Sequence, residues 1–112
     1  MTKLLEVKRG DIYMVDWGGE IGEHPALIIQ NDIGNRYSAS TIVAYITHTV
    51  GKGLPVLVEF KDHEASLPHG GSIDLGRIMT IPKTMLGNRA GRLSSQRMLA
   101  VKRAIMDSLG IA

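Results

Sequence analysis

His24-Pro25-Ala26-Leu27-Ile28-Ile29-Gln30-Asn31-Asp32-Ile33-Gly34-Asn35-Arg36-Tyr37-Ser38 decides how the rest of this chain is read. Ala26 to Ile29 is an unbroken apolar run of strand length. Polar residues end it, and a Gly-containing turn shaped by Asn31 and Asp32 follows. A second β-rich run comes at once, Thr41-Ile42-Val43-Ala44-Tyr45-Ile46-Thr47. Antiparallel pairing of the two sets the start of one beside the end of the other. His24 and Thr47 then flank one end of a sheet, which is where a small barrel keeps a site.

Working outward, residues 12–17 form a first strand, followed by a glycine-rich loop over 18–23. That loop lacks the Lys and the spacing of a phosphate-binding P-loop. Strand two covers 26–30 and strand three 41–47. Gly51-Lys52-Gly53 marks a turn before a strand over 55–60. A polar loop, 61–71, leads to a fifth strand over 72–78, weakened by Gly76. Pro82 to Leu86 reads as one helical turn with Gly87 after it. Ser94 or Ser95 caps a closing helix over 95–109, whose apolar stripe is Met98, Val101, Ile105 and Leu109. Short strands at close spacing predict a small antiparallel barrel, mainly β with one C-terminal helix.

The chain has 112 residues, which is one domain, 1–112, with room for a single core. Hydrophobic content of 44% with 21% charge is that of a globular protein. There is no Cys, so thiol chemistry and disulfides are excluded. Neither the first ten residues nor any later run has the apolar length of a leader or a membrane helix, and a cytoplasmic protein is expected. Net charge is +2, but it is unevenly spread. Between Asp74 and Asp107 stand seven basic residues and no acid: Arg77, Lys83, Arg89, Arg92, Arg97, Lys102 and Arg103. Residues 1–60 carry seven acids against five bases. A basic C-terminal third suits an anionic partner, and a solvated helix face explains it equally well.

Val7-Lys8-Arg9-Gly10-Asp11-Ile12-Tyr13, the stretch from His24 to Ser38, Ile42-Val43-Ala44-Tyr45-Ile46-Thr47 and Thr80-Ile81 together resemble the MazF/PemK toxin family. With the strand patterns between them these pieces cover most of residues 7–83. The resemblance implies an SH3-like barrel, shared also with CcdB toxins, and a symmetric homodimer. It implies sequence-specific, metal-independent cleavage of single-stranded RNA, with no cofactor, and inhibition by a cognate MazE-like antitoxin. In the family an Arg directly before the Pro supplies charge, and a Thr at the end of strand three helps hold the phosphate. Thr47 matches that Thr, whereas His24 stands where the Arg would be.

Cleaving RNA without a metal needs a base for the 2′-hydroxyl, an acid for the leaving oxygen and a stabiliser of the phosphorane charge. His24 can serve as acid or base but is a poorer phosphate clamp than Arg. The family's acid and Arg ahead of Thr-Ile are also missing, since those positions read Gly76, Arg77, Ile78 and Met79. Asp74 lies on the same strand face as Gly76 and is the replacement carboxylate. A bulge at Gly76 would turn Arg77 to that face as the missing guanidinium. The candidate catalytic residues are therefore His24, Thr47 and Asp74, converging on one phosphate, with Asp74 expected to keep His24 protonated to higher pH. Candidate RNA contacts are Arg77, Arg36, Tyr37, Trp17 and Arg89. Arg36 also fits a purely structural turn, and Trp17 a core or interface position. Asp62, His63, Glu64 and His69 share one loop but lack metal-ligand spacing, so no metal site is assigned. Two other classes stay open: a relative that binds RNA or antitoxin without catalysis, and a CcdB-like poison of a protein target.

Overall fold

The computed structural model describes residues 6–111. Its elements in chain order are β1 (Asp11–Asp16), β2 (Glu23–Ile28), α1 (Asp32–Tyr37), β3 (Ser40–Thr47), β4 (Leu57–Phe60), β5 (Gly71–Pro82), β6 (Leu86–Arg92) and α2 (Ser95–Leu109), with 3-10 turns at Glu64–Ser66 and Lys83–Met85. The strands form one antiparallel sheet in the order β4-β5-β3-β2-β1-β6.

Alternation along the strands gives the sheet two apolar faces. Ile12, Leu27, Ala44, Ile46, Phe60 and Ile73 point to one face, where Val101 and Ala104 of α2 cover them. Tyr13, Val15, Ala26, Ile28 and Val43 point to the other, where Ile81, Met85 and Leu86 close over them. The turn Lys83–Met85 carries the chain from β5 to β6, that is, from beside β3 to beside β1. This connection wraps five strands into a small barrel around the second core, with α2 packed outside.

α2 starts where Ser94 caps it, its side chain accepting from the Arg97 N–H, and ends at Gly110 in the left-handed conformation. Of the expected stripe, Val101 is buried and Met98 and Ile105 pack against the core, but Leu109 is 59% exposed and Ala104 takes its place. Leu109 instead borders an open groove with Ile29, Ile42 and Ile78.

Three further expectations change. Residues 32–37 form a short helix, not a turn, because Asn31 caps it by accepting from the Gly34 N–H at 2.7 Å. The strand expected over 55–60 begins only at Leu57, and the one expected over 72–78 runs on to Pro82. β6 was not anticipated. It pairs with β1 and is anchored by the buried carboxylate of Asp11, which meets Arg92 at 2.7 Å and Arg89 at 3.2 Å. At the far side, buried Asn35 accepts from Thr41 Oγ1 at 2.7 Å, and its carbonyl accepts from the buried Lys83 ammonium. This network pins α1 to the turn that closes the barrel.

Candidate active site

The barrel core continues beyond its apolar residues at one end. Following Tyr13 and Val15, Ile28 and Ala26, and Val43 by steps of two brings Trp17, His24 and Tyr45 to the same face. The ladder pairs Val15 with His24 and Ala26 with Tyr45, so these side chains form the mouth of the barrel. The imidazole of His24 stacks on Tyr45, with ring centroids 4.8 Å apart and 12° between planes. Trp17 leans on Tyr45 at 5.7 Å, and its Nε1 donates to the His24 carbonyl at 3.3 Å. His48, one residue past β3, sets its ring edge-on to His24 at 5.5 Å.

His24 is half-buried, and its Nδ1 is sealed from solvent with no hydrogen-bond partner among the described residues. Burial, and then the adjacent imidazole of His48, hold its pKa below the ordinary histidine value. The neutral ring is therefore the favoured form at this mouth. This corrects the expectation that Asp74 would keep His24 charged. The Asp74 carboxylate is engaged elsewhere, accepting from the Gly76 N–H at 2.9 Å and pairing with Arg77 at 3.3 Å.

The bulge at Gly76 is present. Tyr45 lies opposite Asp74, while the preceding Ala44 lies opposite Ile78, so Leu75, Gly76 and Arg77 are looped out of register. The looped backbone brings the Arg77 guanidinium over the Tyr45 ring at 5.5 Å. His24 and Arg77 thus both lie against Tyr45. Asp74 shares the face through its pairing with Tyr45 and holds Arg77 in place. Thr47 comes next on that face of β3, where its hydroxyl is 3.2 Å from Thr49 Oγ1 and accepts from the Thr49 N–H.

Other candidates lie elsewhere. Arg36 and Tyr37 belong to α1, which precedes β3, so the length of that strand, about 20 Å, separates them from Thr47. There the Arg36 guanidinium rests on the Tyr37 ring at 5.5 Å. Arg89 lies opposite Tyr13 rather than at the mouth, and Asp11 occupies its guanidinium. Trp17 is partly buried and acts as a wall of the mouth. The basic C-terminal third is largely neutralised from within. Arg77, Arg89, Arg92 and Arg97 pair with carboxylates and Lys83 is buried, while Lys102 and Arg103 make no ion pair among the described residues.

In the 61–70 loop, Asp62 accepts from the Gly70 N–H at 2.7 Å and Glu64 pairs with Arg97 at 2.8 Å. No group of three His, Cys, Asp or Glu side chains suited to a metal ion occurs among the described residues. Two contributors to the mouth escaped sequence reasoning, Tyr45 and His48. The signal for Tyr45 was there, since it alternates with Thr47 on the same strand.

A family model of PemK-like, MazF-like toxins of type II toxin–antitoxin systems matches residues 8–109. An endoribonuclease MazF of Staphylococcus saprophyticus is 39% identical over 111 residues, spanning 94% of this chain and 92% of that relative. A mycobacterial endoribonuclease solved in complex with its cognate antitoxin has a TM-score of 0.83 at 27% identity, over 95% of this chain and 97% of that one. A MazE-MazF structure from Deinococcus radiodurans shares the fold, with a TM-score of 0.79 at 14% identity over 96% of this chain and 99% of that one. On the family match over most of its length and the 39% identical relative, the chain belongs to the PemK-like, MazF-like toxins of type II toxin–antitoxin systems.

Proposed function

We propose that this chain is a sequence-specific endoribonuclease that cleaves single-stranded RNA, mRNA included, by attack of the ribose 2′-hydroxyl on the neighbouring phosphate, without a metal cofactor. The observation that carries this is the placement of His24 and Arg77 on one aromatic platform, Tyr45. His24, favoured as the neutral imidazole, takes the 2′-hydroxyl proton. Arg77 faces the developing phosphorane charge, with Asp74 fixing its direction. The Thr47 hydroxyl supplies a further hydrogen bond to a phosphate oxygen. The products are a 2′,3′-cyclic phosphate and a 5′-hydroxyl end.

The test is incubation of the purified protein with single-stranded RNA in excess EDTA. Discrete fragments ending in 2′,3′-cyclic phosphate are expected. Binding without fragments would place the chain among non-catalytic relatives. Growth arrest with intact RNA would instead point to a protein target.

Arg77 is 66% exposed at its side chain and is the foremost phosphate contact at the mouth. RNA affinity of Arg77→Ala should show a salt slope smaller by ~0.7, one contact on a single strand. Arg89→Ala should leave the slope nearly unchanged, since Asp11 holds that side chain. Equal effects of the two substitutions would return Arg89 to the RNA path.

The proposal extends to partners. A MazE-like antitoxin inhibits the protein, and it acts in the cytoplasm as a homodimer. A second copy would cover apolar side chains left in solvent, among them Ile33, Leu99 and Leu109. Sedimentation at micromolar concentration measures the assembly directly.

A further inference from the structure

We propose that His48 is the second acid–base group of this site, giving a proton to the leaving 5′-oxygen while His24 removes the proton of the 2′-hydroxyl. This deepens the endoribonuclease proposal and rests on it.

His48 follows the last residue of β3 and is exposed, so its ring can be reprotonated from solvent. The two imidazoles are in edge contact, with centroids 5.5 Å apart. That spacing lets both reach the entering and leaving oxygens of one phosphate. His48 also lines an apolar depression of about 180 Å³ with Pro25, Ile46, Phe60, Leu67 and His69. Its ring therefore stands between the polar mouth and an apolar depression.

Two touching imidazoles do not readily carry charge together. Their surroundings differ. His24 is packed against Tyr45, and its Nδ1 has neither solvent nor a partner. Arg77 also lies over the Tyr45 ring, with Asp74 bound to it. From the 61–70 loop His69 faces the depression that His48 lines. No carboxylate pairs with either imidazole among the described residues. The enclosed ring of His24 is accordingly the base, and solvent-facing His48 is the group placed to donate to the leaving oxygen.

The step balances without a co-reactant. The 2′-oxygen loses its proton to His24 and bonds to phosphorus. The bond from phosphorus to the 5′-oxygen breaks, and that oxygen takes the His48 proton. His24 ends charged and His48 neutral, and exchange with solvent resets both.

A substrate with sulfur in place of the leaving 5′-oxygen tests this, because a thiolate departs without being protonated. His48→Asn should slow cleavage of ordinary RNA by ~100-fold yet cleave the sulfur substrate at close to the parent rate. His24→Asn should be slow on both. His48 is exposed, so its replacement leaves the core intact. Equal loss on both substrates for His48→Asn, or no loss on either, overturns the assignment. Rescue of His24→Asn by sulfur overturns it too, by reversing the roles. Failure of the unaltered protein on both substrates would be a different result, removing the endoribonuclease proposal itself and this one with it.

Discussion

Replacing His24 with Ala lowers RNA cleavage by ~100-fold or more, the scale of a lost general base. His24→Gln gives a loss of the same size, because a Gln amide preserves bulk and hydrogen bonding but accepts no proton near neutrality. The parent enzyme loses activity as acid protonates His24. Burial beside Tyr45 and the neighbouring His48 favour the neutral ring, so this acid limb lies below the pH at which an ordinary histidine titrates. A lowered pKa keeps the base form populated further into acid, and both variants lack this limb. Initial rates across pH on a short RNA check the result. A Gln variant with the parent rate would make His24 a packing residue.

The second large effect is on stability. Asp11→Ala should cost about 2–3 kcal/mol, below the 3–5 kcal/mol typical when one partner of a fully buried pair is removed. The discount arises because Arg89 and Arg92 are about half exposed and regain water when the carboxylate goes. What is lost is the anchor of β6, plus an acceptor for the Lys8 N–H at 3.2 Å. For a domain of this size the expected fall in Tm is ~10 °C. Arg89→Ala, which leaves Asp11 paired with Arg92, should cost under about 1 kcal/mol. Urea unfolding of the three proteins measures both values. A loss below 1 kcal/mol for Asp11→Ala would show that backbone pairing alone holds β6.

β6 also shows where sequence reading runs out. Leu-Gly-Asn-Arg-Ala-Gly-Arg has two glycines, two arginines and little apolar alternation, so nothing local marks it as a strand. Its partner carboxylate, Asp11, lies 81 residues away from Arg92. α1 is hidden for a different reason. Six residues are too few for a helical period, and Gly34-Asn35 reads as a turn. By contrast β1, β2 and β3 are legible because they line both cores and alternate or run apolar throughout. The site divides in the same way. His24 and Thr47 follow from one register between two legible strands. Arg77 depends on how far a bulge turns the chain, which only the pairing of Tyr45 with Asp74 and Ala44 with Ile78 fixes. His48 lies beyond the end of its strand, where alternation no longer says which way a side chain points.

Trp17 is the chain's single tryptophan, and it lies against Tyr45 and above the His24 carbonyl. Its emission therefore originates entirely at the barrel mouth. A charge arriving on His24, or a nucleobase settling against Tyr45, changes the field and the quenching around that one indole. The protein thus carries its own optical gauge. A fluorescence titration with acid reports protonation of His24 with no RNA present, and a titration with uncleavable RNA reports occupancy with no label.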